Sequence, residues 1–386
     1  MAKKSSKSRA FLSMIVLVLI IVFVGICYFY SPFLDIIKGF FNGNDGNTVE
    51  GEITYVNTLK DLKVHFVDVG QGDCILIELP DGKNVIIDSG KGGSAGKPES
   101  YQNLKDYIEN NTNIDTFDYA IATHADSDHI GNFDDILKDY DVKFMYRPYV
   151  YYSGTTYQFS NDFNKGASPY KQSSKTYGDF LNLVKNETYY ENNSLKKLEW
   201  EFFTHDSDFA GKISYNDKIY EYYFDFLTPR FNSLDDIDYK DANDYSPIIK
   251  FSYCGVDILF TGDAEKEAEE DFVYHYRNNK DVDVDILKVG HHGSSTSTTT
   301  QLLELVKPEY SVIQCGVDNS YHHPKQATLN RLVEAKSGIF RNDLHGDIVV
   351  TINGNGTFNF TTQVINPDNV LILSIDFKTT GGVSNY

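Results

Sequence analysis

Cysteine is scarce in this sequence: four occur among 386 residues, and no two are spaced as C-x-x-C. Cys27 lies in a long apolar run, and Cys74, Cys254 and Cys315 lie in short apolar segments typical of strands. Disulfide frameworks and zinc or redox motifs need regularly spaced cysteines, whereas a lone cysteine usually packs as a small hydrophobic residue. The sequence therefore argues against a disulfide framework or a cysteine metal site and predicts buried free thiols.

Positive charge is also in short supply, because 35 Lys and Arg residues are outnumbered by 55 Asp and Glu residues. The formal net charge is −20, and Lys3, Lys4, Lys7 and Arg9 at the N-terminus leave the remainder still more acidic. Proteins that bind nucleic acid normally present clustered Lys and Arg to the phosphates, and no dense basic stripe occurs here. This composition argues against a broad nucleic-acid surface, but not against a small site in which metal ions supply positive charge.

Long apolar runs are limited to one stretch, residues 10–30, which follows the basic N-terminus and contains no charged residue. About twenty apolar residues cross a hydrocarbon core as a helix, whereas a signal peptide has a run of about 7 to 15 followed by a small-residue cleavage site. No clear cleavage site follows Tyr30. We therefore predict an uncleaved single-pass helix in the cell membrane, with the N-terminus in the cytoplasm and the remainder extracytoplasmic.

The composition divides the chain into an anchor, a linker, a folded domain and a tail. Residues 1–33 hold the cytoplasmic basic patch and the anchor, and the Gly- and Asn-rich residues 34–60 form the predicted linker. Strand-like and helix-like segments alternate in residues 61–365, which indicates an α/β (α+β) domain whose sheets are covered by helices. Residues 146–244, rich in Tyr and Asn, indicate an irregular insert, and residues 366–386 a C-terminal tail or extra strand.

Histidine and aspartate are concentrated in THADSDHIGN, residues 123–132, directly after an apolar strand-like segment. Alternate residues of an extended chain point the same way, so His124, Asp126 and Asp128 can converge. His129 then turns inward as a helix begins. Imidazole and carboxylate groups are ligands for zinc and also suit manganese or iron. Taken alone, however, this segment could still be a solvated polar loop.

Two further groups of the same kind follow apolar strand-like segments much later in the chain. Asp263 ends the segment DILFTGD, and the pair His291 and His292 follows DILKVG. Seven such side chains gathered after three strand-like segments favour one convergent site over separate solvated loops. The sequence therefore predicts a metal site.

These segments, in this order and spacing, resemble the metallo-β-lactamase-fold hydrolases, and within them the nuclease-like domain of ComEC-type competence (DNA-uptake) proteins. The resemblance spans residues 64–348 and rests on HFVDVGQGDCILIELPDGKNVIIDSG, THADSDHIGN, ILFTGDAEKEAEE, VDILKVGHHGSSTS and YHHP. It implies an αββα sandwich with the site at one edge of the two sheets.

The resemblance also implies a set of metal ligands, carried over residue by residue. It implies a divalent metal cofactor of two ions, zinc or manganese. The ligands would be His124, Asp126, Asp128, His129, Asp263 and His292. Asp263 resembles the carboxylate that bridges two ions, and His291 could exchange roles with His292. Asp126 stands where most of the superfamily has histidine, and a further ligand histidine usual before the bridging aspartate is not evident, so a single ion remains open.

Other residues would act beside the ions. The resemblance places Asp68, Asp73 and Asp88 near the site, where they would orient ligands rather than bind metal. Two ions can lower the pKa of a bridging water and hold it as hydroxide, which Asp128 would orient as a catalytic residue.

The leaving oxygen of a hydrolysed ester needs a proton donor or a phosphate clamp. The segment SYHHPKQ offers His323 as a catalytic residue, with His322 beside it, although a surface turn is the alternative for both. Ser294, in HHGSS, either helps to bind an anion or caps the next helix.

The leading hypothesis is a membrane-anchored, extracytoplasmic metal-dependent hydrolase, a phosphodiesterase or nuclease that uses a metal-activated hydroxide. Its partners would be a phosphoester substrate such as DNA and, through the N-terminal helix, the membrane. ComEC-type transporters have many membrane spans and this sequence shows one, so we expect that it is not itself a DNA channel. Two alternatives remain: hydrolysis of a non-nucleic ester, amide or lactone, and a non-catalytic binding module that keeps the fold.

Overall fold

The computed structural model describes residues 53–92, 99–164, 170–230 and 237–363, together with the strand Ser384–Asn385. The predicted membrane anchor lies outside the described residues, so it stays a prediction. Within the described ranges, no helix is both long enough and apolar enough to cross a membrane.

The secondary structure alternates between strands and helices, as the sequence predicted. The β-strands are β1 Ile53–Tyr55, β2 Leu62–Phe66, β3 Ile75–Glu78, β4 Asn84–Ile87, β5 Thr116–Ile121, β6 Asp141–Arg147, β7 Tyr151–Tyr152, β8 Lys171–Gln172, β9 Thr188–Glu191, β10 Ser194–Lys197, β11 Glu199–Phe202, β12 Phe209–Tyr215, β13 Lys218–Phe226, β14 Ile249–Tyr253, β15 Val256–Phe260, β16 Ile286–Lys288, β17 Tyr310–Ile313, β18 Gly338–Arg341, β19 Ile348–Ile352, β20 Phe358–Thr362 and β21 Ser384–Asn385. The α-helices are α1 Glu99–Asn111, α2 Ser127–Ile130, α3 Phe133–Asp139, α4 Asn161–Asn164, α5 Lys175–Asn186, α6 Lys266–Tyr276, α7 Thr300–Val306, α8 Gln326–Glu334 and α9 Asn342–His345. Short 3-10 helices cover Asn243–Tyr245, Lys280–Val282 and Gly290–Gly293.

Two large sheets organise the described residues. One has eight strands in the order β1-β12-β13-β14-β15-β16-β17-β18, and the other has nine in the order β11-β6-β5-β4-β3-β2-β19-β20-β21. Strands β4, β5 and β6 pair in parallel, and so do β15 to β18. The carboxyl ends within each parallel set therefore lie at a common edge, where the loops after β4, β5, β15 and β16 begin.

The apolar core lies in layers, because alternate residues of each strand point to opposite faces of its sheet. On β2, Leu62, Val64 and Phe66 pack in the cluster between the two sheets, which β14 and β15 join from the facing sheet. Leu76 of β3 and Leu287 of β16 instead pack in the cluster that includes the covering helices. The predicted αββα sandwich of sheets is confirmed.

The three described cysteines are free thiols, as predicted. Cys74 and Cys315 are buried, and Cys254 is half-buried at the turn between β14 and β15.

Two segments are more regular than the sequence indicated. Strand β1 lies inside the predicted linker, residues 34–60, and pairs in parallel with β12 at the edge of the eight-stranded sheet. The segment 146–244, predicted to be irregular, contains strands β7 to β13 and helices α4 and α5 among its described residues. Its tyrosines and phenylalanines are the reason, since aromatic residues suit the half-buried surface of a strand.

Candidate metal centre

The predicted metal ligands lie on loops that leave the carboxyl ends of parallel strands. His124 to His129 follow β5, Asp263 follows β15, and His291 and His292 follow β16. These loops come from both sheets, yet their side chains meet at one edge of the sandwich. The chain therefore folds so that segments far apart in sequence form one site.

The site is centred on the Oδ2 atom of Asp263. The Nε2 atoms of His129, His292 and His124 lie 3.2, 3.3 and 3.9 Å from this oxygen. The Nε2 atom of His292 also lies 3.6 Å from Oδ2 of Asp128. Asp263 and the three imidazoles are almost completely buried, with 2% or less of their surface exposed. A compact set of nitrogen and oxygen donors thus shares one point.

This donor set fits a divalent metal. Nε2 of His124 and Oδ1 of Asp263 are buried without a hydrogen-bond partner, which is costly unless another group engages them. The Nε2 atoms of His129 and His292 point at each other across 3.2 Å, as two ligands of a shared ion would. Imidazole nitrogen with carboxylate oxygen suits zinc and manganese.

The electrostatics of the cluster also favour a cation. Burial alone would raise the pKa of Asp263, but the adjacent imidazoles of His129 and His292 outweigh it and hold that pKa well below its usual range. Burial disfavours the charged form of His129 and His292, yet the carboxylates around them, Asp263 foremost, raise their pKa well above the usual value. The cluster therefore keeps its carboxylate ionised and attracts positive charge.

His129 is oriented by Asp88, the residue that follows β4. Nδ1 of His129 lies 2.7 Å from Oδ2 of Asp88, which directs Nε2 of the same ring toward Asp263. The backbone N–H and the hydroxyl of Thr123 donate to the two oxygens of Asp88 at 2.8 and 2.6 Å. Asp88 is fully buried and does not line the cavity itself, so it acts on the site through the ring of His129.

Asp73 orients His292 from the Nδ1 side of the ring, opposite the side that faces Asp263. Nδ1 of His292 lies 3.0 Å from the carbonyl oxygen of Gln314 and 3.2 Å from Oδ1 of Asp73. The other oxygen of Asp73 pairs with the ammonium group of Lys288. Asp73, His129, Asp263 and His292 have ligand-type atoms within 4.8 Å of one another, so they could hold an ion. Asp73 nevertheless contacts the Nδ1 side of His292, away from Asp263, which makes it a support for the ring.

The imidazole of His124 is neutral at pH 7, the form in which a histidine binds a metal. Burial and the adjacent His129 lower its pKa to about 4. Its Nδ1 lies 3.1 Å from the hydroxyl of Thr123 and 3.4 Å from that of Ser246, which leaves Nε2 toward Asp263. The hydroxyl of Ser246 also accepts a hydrogen bond from the backbone N–H of Asp263 at 3.1 Å.

Asp126 contacts a residue that the sequence did not single out. The side-chain amide of Gln172 donates to Oδ1 of Asp126 at 3.4 Å. Its carbonyl oxygen accepts from the backbone N–H groups of Ser173 and Ser174 at 2.9 and 3.0 Å, which fixes the amide orientation. Gln172 therefore presents a hydrogen-bond donor to Asp126. No periodicity or motif in the sequence could have identified it.

The predicted ligands open onto a cavity of about 100 Å³. Its lining consists of amide, carboxylate, imidazole and phenol side chains, from Gln71, Asp126, Asp128, Asn243, Asp263, His291, His292, Tyr321 and His323. No Lys or Arg is among these lining residues. Gln71, Asn243 and Tyr321 escaped the sequence prediction, because only the tertiary fold brings their loops beside the histidines.

The two paired histidines have different surroundings. His292 is buried and held through Nδ1, whereas His291 is half-buried, with Nδ1 2.7 Å from Oε1 of Glu265 and Nε2 3.7 Å from Oδ2 of Asp263. The shorter distance from His292 to Asp263 favours His292 over His291 as the ligand of the pair.

His323 lies on the cavity wall, with its ring centre 5.6 Å from that of His291. Burial and the neighbouring imidazoles lower its pKa to about 4, so the ring is neutral at pH 7. A neutral imidazole can still donate one hydrogen bond. This suits His323 to hold a substrate oxygen by a hydrogen bond better than to act as a strong acid.

The structure does not bring the other predicted residues into the cavity. His322 is exposed and does not line it. Asp68 accepts from the backbone of Gly70, and its own N–H donates to Asp347. The hydroxyl of Ser294 lies 2.7 Å from that of Thr296. Being near the motifs in sequence was misleading here, because the side chains of these residues turn away from the ligands.

Glycines allow the site loops to pack backbone against backbone. Gly72 has a φ of +121°, and a Cβ there would lie 2.0 Å from the carbonyl oxygen of Asp128. A Cβ on Gly131 would lie 2.0 Å from the backbone nitrogen of Gly92, and one on Gly92 would lie 2.1 Å from the carbonyl oxygen of Gly131. These contacts fix the loop that carries Asp126 to His129.

Comparisons with known proteins agree with this geometry. Residues 67–317 match the family model described as the metallo-beta-lactamase superfamily. ComE operon protein 3 of Bacillus subtilis (strain 168) is 26% identical over 309 residues, which cover 77% of this chain and 34% of that protein. Competence protein ComA of Neisseria gonorrhoeae is 36% identical over 124 residues, covering 32% of this chain and 17% of that protein.

Recombination protein 2 of Haemophilus influenzae (strain ATCC 51907 / DSM 11121 / KW20 / Rd) is 25% identical over 291 residues, covering 75% of this chain and 28% of that protein. The chain thus spans about a third or less of the length of these curated relatives. The matches confirm the resemblance to ComEC-type proteins that the motifs indicated.

Proposed function

The chain belongs to the metallo-beta-lactamase superfamily, and we propose that within it the chain is a metal-dependent phosphodiesterase that acts on nucleic acid. The observation that carries the proposal is the convergence of His129, His292 and His124 on one oxygen of Asp263. The names of two curated relatives, Competence protein ComA and Recombination protein 2, support a nucleic-acid substrate.

The proposed metal site uses Asp263 as a shared ligand. His129, His292 and Asp128 would hold one divalent ion with it, and His124 and Asp126 would hold a second, zinc or manganese in either case. A bound divalent ion supplies a Lewis acid that polarises a phosphoryl oxygen and lowers the pKa of water. The site with Asp126 has fewer protein ligands, so it is expected to bind its ion more weakly.

The side chains around the ligands position the substrate. Hydrogen bonding to His292 and the nearby imidazoles outweigh the effect of burial and keep the pKa of Asp128 below its usual range, so this carboxylate accepts a hydrogen bond from the attacking water. The neutral His323 donates a hydrogen bond to an oxygen of the phosphodiester. The buried His129 and His292 exclude bulk water from the inner wall, which strengthens these polar contacts.

The proposal predicts that the purified full chain cleaves single-stranded DNA when Mn²⁺ or Zn²⁺ is present. Treatment with a chelator is expected to abolish cleavage, and adding back the metal is expected to restore it. The reason is that the proposed ions polarise the phosphoryl oxygen and lower the pKa of the attacking water. Gel electrophoresis of end-labelled DNA measures cleavage, and elemental analysis of the same sample counts the bound ions. Cleavage that persists after the ions have been removed would contradict the proposal.

A second candidate substrate is an uncharged ester, lactone or amide. The absence of Lys and Arg from the cavity lining favours it, because a phosphodiester usually meets positive charge. Turnover of p-nitrophenyl acetate without any cleavage of DNA would establish this alternative. Metal binding without turnover of either substrate would indicate a non-catalytic binding module.

We also propose that residues 10–30 anchor the chain in the cell membrane with the hydrolase domain outside. The support is the uncharged apolar run behind a lysine-rich N-terminus. Protease added to intact cells is expected to digest the domain, and deletion of residues 1–33 is expected to release it from the membrane fraction. A domain that stays protected in intact cells but not in lysed ones would refute the outward orientation.

A further inference from the structure

We propose that the loop 316–323 is a nucleobase platform, on which Tyr321 stacks a base that adjoins the phosphodiester being cleaved. The loop follows β17 and runs along the rim of the cavity that contains Asp263. This inference rests on the proposed function and extends it, because it states which part of the substrate the enzyme recognises besides the phosphate.

Two exposed apolar side chains mark the loop. Tyr321 is 53% exposed and Val317 is 61% exposed, which is unusual for large hydrophobic residues in the described part of the chain. Tyr321 also lines the cavity together with Asp126, Asp128 and Asp263. An exposed aromatic ring at the mouth of a site for phosphodiesters is placed to meet the group attached to the phosphate.

The ring of Tyr321 is held in place from one side. It stacks on the ring of His323 with ring centres 5.8 Å apart and an angle of 25° between the planes. The ammonium group of Lys325 donates to the carbonyl oxygen of Tyr321 at 2.6 Å, which fixes the backbone beneath the ring. With one face on His323 and half of its surface exposed, the phenol offers a rigid plane to an incoming base.

Asn319 closes the loop into a compact unit. Its side-chain amide donates to the carbonyl oxygens of Gly316 and His323 at 2.9 and 2.6 Å, and its Oδ1 accepts from the backbone N–H of His323 at 2.9 Å. Gly316 lies close enough to Gly70 that a Cβ there would be 2.9 Å from the Gly70 carbonyl carbon. The platform is therefore formed before substrate binds, and its entropic cost of binding is small.

Base stacking also provides binding that does not depend on positively charged side chains, which the lining of this cavity does not contain. Its lining has three carboxylates and no Lys or Arg, and the chain as a whole carries a formal charge of −20. The proposed metal ions would therefore hold the phosphate being cleaved, and no positively charged side chain in the lining would bind the rest of the substrate. Stacking of bases on aromatic side chains needs no positive charge and tolerates any base sequence, because every base has a π-face.

The test compares three substrates of the full chain loaded with Mn²⁺: the dinucleotide TpT and the two analogues in which one or the other thymine is absent from its sugar. Base stacking on an aromatic residue corresponds to a change in affinity of about tenfold. The wild type is expected to show a KM about tenfold higher for one abasic analogue than for TpT. Tyr321→Ala is expected to raise the KM for TpT by a similar factor and to leave the KM for that analogue unchanged. The kcat of this variant should stay nearly constant. Tyr321→Phe should behave like the wild type.

Two further variants sharpen the comparison. Tyr190→Ala removes a tyrosine that is 70% exposed in the β9–β10 hairpin and does not line the cavity, so it should leave all three KM values unchanged. Asn319→Ala loosens the loop without removing the ring and should raise the KM for TpT more than for the analogue.

The outcomes separate this inference from the function on which it rests. If the wild type cleaves all three substrates but Tyr321→Ala lowers kcat/KM equally for each, the ring merely supports His323 and the platform is overturned alone. If the metal-loaded wild type cleaves none of them, the proposed function fails and the platform fails with it.

Discussion

Replacing Asp263 with asparagine is expected to reduce hydrolysis by more than about 100-fold and to weaken metal binding by at least a similar factor. Loss of a group that only supports a ligand already costs about 10 to 100-fold in metal affinity or activity. The Oδ2 atom of Asp263 is approached by the imidazoles of His129 and His292 at 3.2 and 3.3 Å, so under the proposal this oxygen binds the metal itself. Activity assays at saturating Mn²⁺, together with metal titration, would measure both effects.

A matched control for this prediction is Asp206→Asn. Asp206 has 82% of its side chain exposed and pairs only loosely with His205, so the same chemical change there should leave activity and metal binding unaltered. Circular dichroism would establish that both variants keep the fold. Folded Asp263→Asn protein that retains wild-type turnover would rule out the proposed site.

Replacing Lys288 with methionine is expected to lower the free energy of unfolding by about 3–5 kcal/mol, the usual cost of leaving one partner of a buried ion pair without the other. Lys288 has no exposed surface, and its ammonium group pairs with Asp73 and donates to the carbonyl oxygens of Val289 and Gly262 at 3.0 and 3.3 Å. Burial tends to raise the pKa of Asp73, and Lys288 contributes most to lowering it instead. Urea unfolding followed by fluorescence would measure the loss.

Two comparisons make the Lys288 prediction specific. Lys307→Met removes an exposed ion pair with Asp283, at 3.1 Å, and should cost less than about 1 kcal/mol. The double variant Lys288→Met with Asp73→Asn should be more stable than Lys288→Met alone, because asparagine leaves no buried charge. A loss below about 1 kcal/mol for Lys288→Met would show that the buried pair contributes little. Lys288→Met should also lower catalytic activity, because Lys288 pairs with Asp73, which supports the ring of His292.

The part of the fold that follows from local patterns could be predicted from the sequence. Strands such as β14 and β15 alternate or concentrate apolar residues between turn signals, and helices such as α6 have clear apolar spacing, so their existence is determined by nearby residues. Strand β1 could not be predicted in the same way. It consists of three residues whose pairing depends on the edge of β12, more than 150 residues later in the chain.

The candidate site divides along the same line. The residue types and strand-end positions of His124, Asp263 and His292 were enough to predict that they meet, and the structure brings them together. Gln172 and Tyr321 carry no such signal, because an amide or a phenol is common on any surface and its role depends on long-range packing. Ser294 and Asp68 show the converse, since a position next to a motif does not determine where a side chain points.

The contact between Gly92 and Gly131 limits how this site can change over evolutionary time. Each glycine occupies the space that a side chain on the other would need, so neither position can be rescued by a substitution at its partner. A proposed ligand such as Asp126 can be exchanged for another ligand type while the loop keeps its path. A side chain at either glycine would instead move the whole loop, and every ligand on it, in a single mutational step.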